Sequence, residues 1–286
     1  MSNNNWKIQS LPFNDDIKDA LMQQHHAAQF IAKVGRHLVP QKDDDSNTNM
    51  EFIPEDNLLL GNVMPNGMSV ALQLSDLKLF IVDEAKNIRK TICLDGKTQE
   101  MIFVELAQNL ADIGIDVTNF KDELHYEIPF HELDNGAVFS IKDNEALVEN
   151  AKYRHNAKLV LNEVSKLLDQ DELIRIWPHH FDTGAFYVIS KNENGEATKT
   201  IGIGFAIPDS MVEEPYYYLS FWSDKPIENL NKFNQFSAGS WMMPDWNGAV
   251  LRHSELQKAN SASDQYDMVK SFYTDGINAL LKILNN

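Results

Sequence analysis

Four short stretches rich in β-forming residues follow one another at 58–63, 69–74, 77–82 and 89–94, with only turn residues between them. A second run of such stretches falls at 174–189, 198–207, 216–222 and 249–253, with a further one at 137–141. Asn192-Glu193-Asn194-Gly195 predicts a hairpin between 174–189 and 198–207. Helical periodicity is confined to 15–39, 98–113, a segment from just after Asp143 to 168, and 264–284. In the first of these, Ile17, Leu21, Ala28, Ile31, Val34 and Leu38 form an apolar stripe that Pro40 ends. Strands grouped in succession, not in strict alternation with helices, predict an α+β fold: mainly antiparallel sheet packed by about four long helices. Residues 1–142 and 143–286 read as two α+β halves. No Pro/Gly/Ser-rich linker separates them, so one continuous domain is the alternative. Residues 41–57, polar and acidic, read as a mobile loop.

With 286 residues and 43% hydrophobic content the chain can bury a sizeable core. Its single cysteine, Cys93, excludes an internal disulfide and reads as a buried small hydrophobe between Ile92 and Leu94. The first residues carry no secretory signal and no apolar run is long enough to span a bilayer. These features predict a cytoplasmic protein. The net charge of −17 comes without any cluster of Lys and Arg, which predicts neither a nucleic-acid nor a membrane partner. Oligomeric state is not legible.

Half of the 28 Phe, Trp and Tyr residues lie between 177 and 246. The segment opens with Trp177-Pro178-His179-His180-Phe181-Asp182. Read as a strand, it puts Trp177, His179 and Phe181 on one face and Pro178, His180 and Asp182 on the other. His180 and Asp182 would then be an acid–base pair, with either as general base, or two ligands of a divalent metal. The plainer alternative is that they satisfy backbone groups at a strand start. Strand 214–222 similarly aligns Glu214, Tyr216, Tyr218, Ser220 and Trp222, an aromatic and polar face suited to a pocket wall, an interface or a half-buried sheet surface. Gly202, Gly204 and Ala206 leave one face of their strand nearly bare, open either to a ligand or to neighbouring rings. Arg252 and His253 precede Ser254, which with Gln257 fits a capping box. In the first helix, His25, Gln29, Lys33 and Arg36 share a stripe opposite the apolar one, a solvated face by spacing alone. No dinucleotide fingerprint, P-loop, nucleophile elbow or His-Glu-x-x-His motif is present, and no cofactor is indicated.

The order of these features resembles a bacterial family, domain of unknown function 5996. The resemblance rests on Gln29, Lys33 and Arg36 in the opening helix, Trp177 with Phe181-Asp182, Gly204-Phe205, and Glu214-Pro215-Tyr216-Tyr217-Tyr218. It covers about residues 20 to 284, and no single motif is specific. Some family members carry a tryptophan-rich stretch where this chain has Asp43-Asp44-Asp45-Ser46-Asn47, and small or aromatic residues where His179 and His180 stand. The resemblance therefore weakens a metal role for the histidines, favours Asp182, and strengthens the Gln29-Lys33-Arg36 stripe. It implies no activity, substrate or cofactor.

Three functions are compatible with this reading. The first is a small-molecule pocket walled by Trp177, Tyr216, Tyr218 and Trp222 and anchored by Asp182, His180 and Glu214. Gln29, Lys33, Arg36 and Arg252 would add contacts to it, for instance to an anionic ligand. The second is a metal-dependent hydrolase with His180, Asp182 and His253 as ligands. The third is an interaction module presenting the aromatic surface from Tyr216 to Trp246.

Overall fold

The structure, a computed structural model, describes residues 5–142, 144–170, 172–226 and 236–284. Asp143, expected to cap a helix, lies outside them. The fold is α+β, and every strand ladder described within the units below is antiparallel. The chain divides into two compact units. A C-terminal unit comprises Met1–Phe13, Lys152–Ile174 and Asp182–Asn286; an N-terminal unit comprises Asn14–Ala151 and Arg175–Phe181.

The N-terminal unit is organised by helix α1 (Asp15–Leu38), whose first turn is capped by the Asn14 side chain accepting from the Ile17 amide. Its strands are β1 (Met50–Ile53), β2 (Leu58–Gly61), β3 (Met68–Gln73), β4 (Lys78–Asp83), β5 (Ile88–Cys93) and β6 (Arg175–Trp177). They lie in the order β6-β1-β2-β3-β4-β5. The apolar stripe of α1 packs on β2 and β3. A Cβ at Gly61 would stand 2.5 Å from Ile31 Cγ2, so glycine lets the helix approach the sheet. Helix α2 (Gln99–Asp112) follows, capped by Thr98.

Three expectations fail here. Residues 41–57 are not a mobile loop. They contain β1, and Asn47, Thr48 and Asn49 are buried. Asn62 donates to the carbonyls of Ser46, Asn47 and Asn49, and Asn47 donates to Gly35 O, so hydrogen bonds in both directions hold the segment down. The expected strand at 137–141 does not form. Residues 113–142 hold no regular element beyond a 3-10 turn at Glu132–Asn135. Cys93, expected to be buried, is exposed on β5, which has a ladder partner on one side only.

In the C-terminal unit, β7 (Asp182–Lys191), β8 (Ala197–Ala206), β9 (Tyr216–Ser223), β10 (Ser240–Trp241) and β11 (Gly248–Arg252) lie in the order β7-β8-β9-β11-β10. The predicted hairpin joins β7 and β8. Odd-numbered side chains of β7, β8, β9 and β11, from Ala185 and Tyr187 through Ile203, Phe205, Tyr217 and Leu219 to Leu251, face one apolar core. That core is closed by helix α3 (Asn144–Val164) through Ala157, Val160 and Leu161, and by helix α5 (Ala262–Leu284) through Val269, Phe272 and Tyr273. Residues of α3 up to Ala151 belong to the N-terminal unit. A short helix, α4 (His253–Leu256), follows β11. No helix among the described residues is long and apolar enough to cross a membrane.

Candidate functional site

The predicted strand 174–189 is two strands. Between β6 and β7 the backbone turns, with the Phe181 amide donating to Trp177 O at 2.7 Å and Phe181 in the left-handed region at φ +51°. That conformation costs a non-glycine residue about 1–2 kcal/mol. Full burial of the Phe181 ring is worth about 1.5–3 kcal/mol and outweighs it. Strand alternation therefore does not run through the segment, and the expected shared face of His180 and Asp182 is lost. His180 is exposed and packs on the His179 ring at 4.5 Å within the N-terminal unit, whereas Asp182 starts β7 in the C-terminal unit.

Asp182 accepts a hydrogen bond from Tyr218 Oη at 2.6 Å. The register explains how the phenol reaches it. Gly184, Gly204 and Tyr218 are opposite one another on β7, β8 and β9. A Cβ at Gly204 would lie 2.5 Å from Tyr218 Cζ, and one at Gly184 would lie 2.7 Å from its hydroxyl. The bare glycine face is thus filled by the Tyr218 ring, which decides between ligand and neighbouring ring at that spot. Asp182 Oδ1 has no hydrogen-bond partner among the described residues. Burial and the Asp182 carboxylate hold the Tyr218 phenol well above its ordinary pKa, so it stays a donor.

Tyr216, next on the same face, donates to Asp209 at 2.6 Å, and burial and then Asp209 raise its pKa as well. Its ring centroid is 6.4 Å from that of Tyr218. Farther along this face, Phe186 and Trp222 are 59% and 48% exposed and flank Gly202 and Ser220. On the opposite face, buried Arg154 of α3 donates to Thr183 Oγ1 at 2.6 Å and lies over the Phe205 ring. Burial pushes its pKa down to about 9, and the Asp182 charge works against that fall.

Other expected members are occupied elsewhere. Both Glu214 oxygens are taken by the Ser254 amide and hydroxyl, at 2.7 and 2.8 Å. The predicted Ser254–Gln257 capping box is replaced: Arg252 takes the cap position and its amide is bonded to Glu255. The Arg252 guanidinium contacts Met242 Sδ. His253 is buried, beside Tyr153 and Leu11 O, so it does not join Asp182. The metal set His180, Asp182 and His253 is not assembled, and among the described residues no three His, Cys, Asp or Glu side chains are grouped to hold a metal ion. Within 216–246, Tyr216, Tyr217 and Phe221 are buried while Trp222 is exposed, so the expected aromatic interaction surface shrinks. A polar hollow of about 340 Å³, lined by Asn162, Ser165, Lys166, Asp169, Gln170 and Glu172, contains none of the expected residues.

The α1 stripe is not a solvated face. His25, Gln29 and Lys33 are all buried. His25 Nε2 and Gln29 Nε2 both meet Pro178 O, at 2.8 and 3.0 Å, and Gln29 Oε1 accepts from Tyr126 Oη at 2.9 Å. Lys33 is ion-paired with Asp122, and Arg36 stands 3.9 Å from Asp45.

Comparison with family models, curated proteins and solved structures gave no match. The sequence reading overlooked Arg154, Asp209 and Tyr126. Arg154 carried a signal: it falls seven residues after Leu147 and seven before Leu161, on the buried stripe of α3. Asp209 and Tyr126 lie in irregular segments, where no periodicity marks a partner.

Proposed function

We propose that the C-terminal unit binds a small molecule on the even-numbered face of its sheet, with Asp182 as anchor and Tyr218 as the group that orients it. The observation that carries this reading is the division of labour at Asp182. One carboxylate oxygen is fixed by a phenol locked over Gly184 and Gly204, and the other is left for a ligand. A carboxylate oxygen is an acceptor, so the ligand is one bearing N–H or O–H donors, an amine or a polyol. The chain's charge of −17 favours approach of a cation. The kinship suggested by the motif order, with domain of unknown function 5996, stands beside this reading as a proposal and adds no activity to it.

A thermal-shift screen of small amines and polyols, followed by calorimetry, tests it. A binding probe is expected to lose about tenfold or more in affinity in Asp182→Asn, as one charge-assisted hydrogen bond would predict. Tyr218→Phe should weaken binding less. No binder in the screen, or one held equally by Asp182→Asn, rejects the proposal.

A further inference from the structure

The left-handed Phe181 has a second consequence, inside the N-terminal unit. A bulky residue at positive φ is a backbone outlier, and such strain persists only where surroundings over-determine it. Here they do. The His25 ring stacks on Phe181 at 4.9 Å and 4°, and His25 and Gln29 both hold Pro178 O from beneath. The turn is thereby fixed so that Trp177, His179 and His180 are gathered beside Tyr126: His179 lies 6.3 Å from Trp177, 4.5 Å from His180 and 5.7 Å from Tyr126. Tyr126 itself is fixed by Gln29 and adjoins His125, whose Nε2 is 2.9 Å from Asp45.

Two guanidiniums are linked to this cluster, Arg36 through Asp45, which it shares with His125, and Arg175 through the strand that carries Trp177. Arg175 is two residues before Trp177 on β6, so both project from the same face of the strand. Its Nη1 is 3.7 Å from Glu51, and that of Arg36 is 3.9 Å from Asp45. Both separations exceed the 2.7–2.9 Å or so of a charge-assisted hydrogen bond, so each arginine is held in an ion pair without a close hydrogen bond. Flat rings, N–H donors and two loosely held positive charges are the complement of a planar anion.

We propose that the turn at residues 177–181, with Tyr126, Arg36 and Arg175, is a binding site for a planar aromatic carboxylate. The Trp177 ring takes the ligand's face with the His179 ring, inclined to it at 68°, against the ligand's edge, and the imidazole and guanidinium N–H groups take its carboxylate. This site is distinct from the Asp182 site in unit and in the ligand charge it selects.

Benzoate, benzylamine and inorganic phosphate are the probes, added to the full chain and followed by thermal shift and by NMR of the indole and imidazole protons. Benzoate is expected to bind, to perturb the Trp177 and His179 signals, and to lose about tenfold in affinity in Arg36→Gln and in Arg175→Gln. Both substitutions replace partly exposed side chains, so the variants are expected to fold, which circular dichroism checks. Asp182→Asn should leave benzoate binding unchanged, which separates this site from the one proposed above. Absence of benzoate binding, an equal perturbation of the Trp177 and His179 signals by benzylamine or phosphate, or affinity unaltered in both arginine variants overturns the proposal.

Discussion

The buried polar stripe of α1 in the N-terminal unit and the Asp182–Tyr218 pair in the C-terminal unit do opposite kinds of work. In the N-terminal unit the polar stripe of α1 is buried because the segments lying on it have little hydrogen bonding of their own. Gln24 donates to Leu74 O, His26 meets Pro129 O, and Gln29 and His25 share Pro178 O. Backbone carbonyls without a ladder or helix to join need a donor from somewhere, and α1 supplies it. In the C-terminal unit the backbone is largely satisfied by long ladders, and the core facing α3 and α5 is apolar and aromatic. The Asp182–Tyr218 pair, on the other face, answers no such backbone need. The α1 stripe is therefore mainly structural, whereas the Asp182–Tyr218 pair invites a functional explanation.

The largest test of this contrast is at Phe181. Phe181→Ala should cost about 3–5 kcal/mol, seen as a lower urea midpoint. Phe181→Gly should be no worse than alanine, because relief of the left-handed strain, about 1–2 kcal/mol, offsets the extra lost methyl group. A glycine variant clearly less stable than the alanine variant would mean that the turn is not held at positive φ, and the buried donors on Pro178 O would lose their purpose.

A smaller effect is expected at the glycines of β8. A Cβ at Gly204 meets the Tyr218 ring at 2.5 Å and the Thr183 carbonyl at 2.7 Å, neither of which gives way easily. Gly204→Ala should cost about 1–3 kcal/mol by overpacking. At Gly202 the nearest contact is the Ser220 hydroxyl, the end of a side chain that can rotate, so Gly202→Ala should cost distinctly less. Chemical denaturation of both variants checks the order. Equal costs would mean that Tyr218 is not wedged in the trough, and the fixed orientation of Asp182 would fall with it.

What was legible in the sequence follows the same division. Period-two and helical patterns report which side of an element is buried, and they located α1, α2, α5 and nearly every long strand. They also aligned Tyr216, Tyr218, Ser220 and Trp222 on one face and left Gly202 and Gly204 on a bare face, while the pairing of the two came only with the ladder. Patterns fail where the chain departs from its period. One residue at positive φ, Phe181, severed the link between His180 and Asp182 that alternation required. The α1 stripe of His25, Gln29 and Lys33 looked solvated because polarity was taken as exposure, yet the irregular segment covering it has no periodic signature of its own. Asn62, which pins residues 46–49, is a single side chain in a turn and carries no warning in sequence.

The finest test concerns a titrating group in that covered stripe. His26 is buried beside Asp134, 3.4 Å away, and the His131 ring at 5.5 Å, with Asp19 on His131 and the Lys33 charge nearby. Burial holds its folded pKa below the ordinary 6.5, outweighing the opposing pull of Asp134 and Pro129 O. The unfolded chain then takes up the proton first as pH falls. The contribution of neutral His26 is complete above about pH 6.5 and is lost below it, by at most about 1.4 kcal/mol per pH unit for one proton, until the folded pKa is reached. Urea midpoints at pH 7.5 and 5.5 should fall more in the native sequence than in His26→Gln. Amide exchange should place the extra loss in α1 and residues 129–135, and leave the amides of β8 and β9 unchanged. An identical pH response in the two proteins would show that His26 is not held neutral by burial, and would remove the clearest electrostatic mark of a polar side chain kept inside for the sake of its neighbours' backbone.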